Sequence, residues 1–143
     1  MLLRACRSDA GIFPVLDTIR IGDLELEVLE GLGGHTRGQI YLYSQKEGLL
    51  FAADSLINFA SLTRERADYS SLAAFLVTSV NVDSDLAKKE RKALLDLASQ
   101  TDAALLKTGR RCLVCGGHGA VSVREGTGLA AHGDIEHFQS IET

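Results

Sequence analysis

Apolar and polar residues alternate along the first third of the chain, then adopt a helical period, then fall into short apolar runs between glycines. Residues 1–17 show no clear period. Over 18–21 and 24–30, Ile19, Ile21, Leu24, Leu26 and Val28 alternate with polar neighbours such as Glu25 and Glu27, and Gly22-Asp23 sits at the joint. This pattern predicts a β-hairpin with one buried face. Residues 31–38, which include three closely spaced glycines and His35, read as a loop. Residues 39–44 alternate again, with Ile40 and Leu42 on one face. After a polar turn at 45–48, residues 49–53 form a continuous apolar run that ends directly at Asp54. Such a run predicts a strand buried on both faces.

The period then lengthens. Leu72, Phe75, Leu76 and Val80, preceded by serines suited to an N-cap, predict a helix over 70–80. Leu86, Ala93, Leu94 and Leu97 share a face over 83–99, while Lys88, Lys89, Arg91 and Lys92 cover the rest. Asp83 or Ser84 can cap that second helix. Residues 103–106 and 112–115 are short strand candidates around Gly109, and 116–119 form a second glycine loop that carries His118. Residues 121–143 form a tail of ambiguous pattern. The order predicts one α/β domain over 1–143, a mixed sheet with helices on one face.

Composition narrows the function classes. The net charge of −4 over 143 residues argues against a non-specific nucleic-acid binder, which needs a basic face. No apolar run approaches the about 18–20 residues that span a bilayer, and residues 1–7 lack the apolar core of a signal peptide. Three cysteines, Cys6, Cys112 and Cys115, are too few and odd in number for a disulfide scaffold, so the expected compartment is the reducing cytoplasm. Cys112 and Cys115 have the spacing of a zinc or redox pair, but no second pair completes a site and core cysteines are expected. Arg64, Arg66, Arg110 and Arg111 are expected on solvated surface, the alternative being contact with an anionic substrate.

Candidate chemistry concentrates in the two glycine loops and at the end of the apolar run. Glycine lets a backbone approach closely and adopt positive φ, which frees a neighbouring histidine to face a cleft. Asp54, at the end of a buried strand, needs a hydrogen bond, a counter-charge or a metal. Taken singly, each of His35, Asp54 and His118 reads as an ordinary loop or turn residue. Together, two imidazoles and a carboxylate suit zinc, iron or manganese.

The segments Gly33-Gly34-His35-Thr36-Arg37-Gly38-Gln39-Ile40, Gly48-Leu49-Leu50-Phe51-Ala52-Ala53-Asp54-Ser55 and Gly117-His118-Gly119 resemble, in order and spacing, three motifs of the metallo-β-lactamase superfamily. The resemblance covers roughly residues 24–121. It implies half of an αββα sandwich, with His35, Asp54 and His118 as metal ligands and Asp54 able to bridge two ions. It implies one or two bound ions, zinc first and iron or manganese as alternatives. It also implies hydrolysis of an ester, thioester, amide or lactone by metal-activated water.

The chain departs from the family pattern at three places. Gly33 and Arg37 stand where proline is usual, and Ala53 stands where glycine is usual. No histidine precedes Gly33, so the family's upstream H-x-H-x-D-H segment has no counterpart there. Two readings stand for the tail. His132, Asp134, Glu136 and His137 have the shape H-x-D-x-E-H, which substitutes for the upstream segment after permutation or exchange between chains. Alternatively, Leu129, His132 and Glu136 lie on a C-terminal helix.

The expectation is therefore a metal-dependent hydrolase, truncated and incomplete as a single chain. The alternative is a non-catalytic oligomeric remnant or binding module of the same fold. An exposed sheet face left by a missing half predicts a homo-oligomer, which light scattering would contradict by finding a monomer at micromolar concentration.

Overall fold

The computed structural model describes residues 9–58, 61–65 and 81–133. Its elements are β1 (Asp9–Ala10), β2 (Phe13–Ile21), β3 (Leu24–Glu30), β4 (Ile40–Ser44) and β5 (Leu49–Ala53). After these come the long helix α1 (Ser84–Leu105), a 3-10 turn (Leu106–Thr108), β6 (Leu113–Gly116), β7 (Ser122–Glu125) and β8 (Gly128–Ala131). The eight strands form one mixed sheet in chain order. Neighbours pair antiparallel except β5 and β6, which run parallel. A parallel pair requires a crossover, and α1 lies within it.

Register assigns the two faces of the sheet. Leu29 pairs with Tyr41, Tyr43 with Leu50 and Leu50 with Val114, so these side chains share a face. They form the core together with Leu94, Leu97 and Ala98 of α1. Phe13 joins them with its ring edge-on to Tyr41, the centroids 5.4 Å apart. The opposite face carries Val28, Leu42 and Phe51 in one row across three strands.

That second face corrects the expectation for 49–53. Leu50 and Ala52 are buried while Phe51 is 37% exposed, because α1 covers one side only. The apolar run is thus a one-sided strand. Residues 9–17 are not irregular either. β2 begins at Phe13, but a register shift between Val15 and Asp17 breaks its alternation and leaves Leu16 exposed.

Residues 103–106 are not a strand. Leu94, Leu97, Ala98, Thr101 and Leu105 continue one buried stripe, so α1 runs on to Leu105, and Gly109 ends the following turn with φ 68°. The tail's first part is a hairpin. Leu129 lies in β8, paired with Arg124, so no helix begins there. The expected helix over 70–80 and the tail residues Asp134, Glu136 and His137 lie outside the described residues.

Cys112 is fully buried in the core, and neither it nor Cys115 is in a disulfide. Burial, with the nearby Asp102 carboxylate adding to it, pushes the Cys112 thiol up to about 12. Arg110 clasps the backbone carbonyls of Lys46 and Glu47. Arg111 lies 3.6 Å from Asp102. Both arginines therefore fasten loops. Among the described residues, no helix is long and apolar enough to cross a membrane.

Candidate metal centre

The parallel junction sets the site. The carboxyl ends of β5 and β6 emerge side by side, the usual place for ligands on an open sheet with parallel strands. The pairing shifts register between Phe51 and Ala53, so that Ala53 opposes Gly116. Ala53 adopts φ 45°, the one positive φ at a described residue other than glycine. The Ser55 N–H donates to the Ala52 carbonyl at 3.1 Å and closes a turn with Asp54 inside it. The Gly117 N–H donates to the Ala53 carbonyl at 2.8 Å, stapling the His118 loop to that turn. A Cβ on Gly117 would collide with the Asp54 carboxylate, so glycine at this position leaves that carboxylate its place against the loop.

The loop after His118 is packed from below. The Ala120 N–H donates to Ser61 Oγ at 2.8 Å, and Ser61 Oγ–H donates to the Asn58 carbonyl at 2.7 Å.

The His35 loop is fixed by α1. The Asp83 N–H donates to the Gly34 carbonyl at 2.9 Å and the Val82 N–H to the His35 carbonyl at 3.2 Å. Asp83 is also the N-cap, its side chain accepting from the Leu86 N–H. Gly34 lies so close to the first turn of α1 that a Cβ there would meet the backbone of Leu86 and Ala87. Further along α1, the buried Glu90 accepts from the Leu32 N–H at 2.6 Å and the Gly34 N–H at 3.0 Å.

These constraints bring His35, Asp54 and His118 together. His35 Nε2 lies 3.7 Å from Asp54 Oδ2, and His118 Nε2 lies 3.5 Å from Asp54 Oδ1. Each imidazole thus faces a different oxygen of one carboxylate. His35 is the most sheltered of the three side chains and His118 the most exposed. His35 Nδ1 is 2.9 Å from Asn81 Oδ1. A carboxamide oxygen only accepts, so Nδ1 is the donor to Asn81 and Nε2 is the ring nitrogen that faces Asp54.

In the neutral ring Nε2 and the Asp54 oxygen are both acceptors, an arrangement that either a proton or a cation between them satisfies. The separations exceed a direct hydrogen bond of about 2.7–3.2 Å. Nitrogen and oxygen ligands at about 2.0–2.2 Å from a tetrahedral ion stand about 3.3–3.5 Å apart. The His118 pair falls at the upper end of that range, and the His35 pair is a few tenths longer. Two imidazoles and a carboxylate are donors of the kind that zinc, iron and manganese accept. Among the described residues, no group of three or more His, Cys, Asp or Glu side chains is placed to hold a metal ion, so the three face one another pairwise through Asp54 without closing into a three-ligand site.

Sequence reasoning missed Asn81 and Glu90. No pattern marked Asn81. Glu90 carried a signal, since it falls four residues after Leu86 and four before Leu94 on the apolar stripe, where a carboxylate must have partners. No family model matches the chain, and no curated protein or solved structure matches it significantly.

Proposed function

We propose that this chain is a metal-dependent hydrolase of the metallo-β-lactamase type, built on half of that family's αββα sandwich, with His35, Asp54 and His118 as metal ligands. The observation that supports the reading is the convergence of two imidazole nitrogens on the two oxygens of Asp54, at 3.7 and 3.5 Å. When bound, a zinc, iron or manganese ion lowers the pKa of its water toward neutrality and polarises a carbonyl. Asn81 holds His35 in the tautomer that presents Nε2. The Ala53 turn and its bond from Gly117 fix Asp54 against the His118 loop.

Beside the carboxylate lies a cleft of about 300 Å³ between α1 and the β7–β8 hairpin, lined by Asp54, Leu56, Arg91, Leu95 and Leu129 among others. Its leucines suit the apolar part of an ester, thioester or lactone.

Metal content of untagged protein, by elemental mass spectrometry, tests the reading, with Asp54→Ala as control. About one ion or more per chain is expected, lost in the variant, followed by turnover of simple esters or thioesters. Protein that retains no ion under any loading, or a variant that retains as much as the parent, overturns it in favour of a non-catalytic member of the same fold.

A further inference from the structure

The structure assigns Glu90 as a positioning residue that locks the His35 loop to the Asp54 turn through a buried chain of hydrogen bonds, an inference that rests on the metal-site reading above. Glu90 is 1% exposed, although its neighbours Lys88, Lys89 and Arg91 are all exposed. Its carboxylate accepts three hydrogen bonds. Oε1 takes the Leu32 N–H at 2.6 Å and the Tyr41 hydroxyl at 2.7 Å, while Oε2 takes the Gly34 N–H at 3.0 Å. Two of these donors are backbone groups of the loop that carries His35, and Gly34 is its immediate neighbour.

The third donor leads to the other ligand. Tyr41 has one hydroxyl proton and gives it to Glu90. Its oxygen, 2.8 Å from Ser55 Oγ, therefore accepts the Ser55 proton. Ser55 follows Asp54 in the chain and is itself buried. The direction is fixed end to end: Ser55 donates to Tyr41, and Tyr41 and two loop amides donate to Glu90.

Burying a carboxylate is costly unless hydrogen bonds replace its water. A fold does not need that cost here, since α1 already presents Leu94, Leu97 and Ala98 to the sheet. What the carboxylate adds is geometry. Its two oxygens grip two amides two residues apart, which an apolar side chain cannot do, and charge-assisted bonds of this kind are short and directional. Desolvation also raises the Tyr41 phenol above its ordinary range, so the proton stays in the chain at any working pH. His35 and Asp54 come from separate segments that this chain ties together, so the separation of their ligating atoms depends on it.

The test uses the full chain and cobalt(II), whose d–d absorption reports ligand geometry. Glu90→Gln keeps the shape but places an amide among three donors. Its cobalt affinity is expected to fall about 10–100-fold, the range for lost ligand-orienting contacts, with an altered visible spectrum. Tyr41→Phe keeps both loop bonds and cuts the link to Ser55, so a smaller loss is expected, and it serves if Glu90→Gln fails to fold. Unchanged affinity and spectrum in folded variants overturn the inference.

A parent that binds no cobalt defeats the metal-site reading instead. The positioning claim is then decided by amide hydrogen exchange: Leu32 and Gly34 must be protected in the parent and exchange faster in Glu90→Gln. Equal exchange overturns it.

Discussion

Replacing Ala53 by glycine is expected to stabilise the protein, although it removes a side-chain carbon from the end of a strand. Ala53 sits at φ 45°, where an L-residue crowds its own carbonyl. That crowding costs about 1–2 kcal/mol. Glycine removes it but widens the unfolded ensemble, which returns about 0.4–1 kcal/mol of the gain. The Ala53 methyl is exposed, so no core packing is lost. The hydrogen bond from Gly117 uses the Ala53 carbonyl and survives the change. The net gain is about 0.5–1 kcal/mol, or a rise in Tm of about 2–5 °C for a chain of this size. Thermal and urea unfolding of parent and variant measure it. Ala52→Gly is the control, since Ala52 is fully buried one residue earlier and its loss must destabilise. An Ala53→Gly protein no more stable than the parent would refute the strained-turn account of how Asp54 is presented.

Two further outcomes follow from the same geometry. Asn81→Ala removes the acceptor that fixes the His35 tautomer, so metal affinity is expected to drop about 10–100-fold in a chelator competition titration; equal affinity would show that the tautomer is set elsewhere. Stability is expected to fall in alkali, because burial raises the Cys112 thiol from 9.0 to about 12 and raises the Tyr41 phenol as well. The folded state then holds these protons more tightly than the unfolded state. Their contribution is complete below pH about 9 and is lost as pH rises through the folded value. Urea midpoints at pH about 7.5 and 10.5 read this directly, and equal midpoints would contradict it.

The sheet was legible where alternation was unbroken. Residues 24–30 and 40–44 lie in strands as their period predicts, 49–53 lie in a strand as their apolar run predicts although only one face is buried, and the glycines around His35 and His118 marked both loops. Alternation misled wherever a single residue broke it. The irregularity near Leu16 hid the first half of β2, because one unpaired residue reverses the sense of all those before it. The end of α1 was misread because residues 103–106, Ala-Ala-Leu-Leu, form too short an apolar run to separate strand from helix. Thr101 resolves it in three dimensions: its hydroxyl bonds back to the Leu97 carbonyl and also meets the Tyr43 hydroxyl at 2.8 Å, which keeps the helix on the sheet. The hairpin of β7 and β8 is signalled only by Glu125-Gly126-Thr127-Gly128, a turn with too little patterned sequence on either side to stand out.

The three candidate ligands differ in what holds them, and that difference follows from topology. Asp54 and His118 stand at the ends of adjacent parallel strands, tied by the bond from Gly117 to Ala53, so their relative position belongs to the sheet. His35 follows β3, two strands away from β5, and its loop accepts from the Val82 and Asp83 N–H groups and donates to Glu90, at and near the start of α1. The helix that makes the parallel crossover possible therefore also sets the third ligand. A core change under α1 would shift His35 against a fixed Asp54–His118 pair, whereas a change at the β5–β6 junction would move Asp54 and His118 together. Glu90 sits where these two dependencies meet, because one carboxylate grips the His35 loop and, through Tyr41 and Ser55, the turn that carries Asp54.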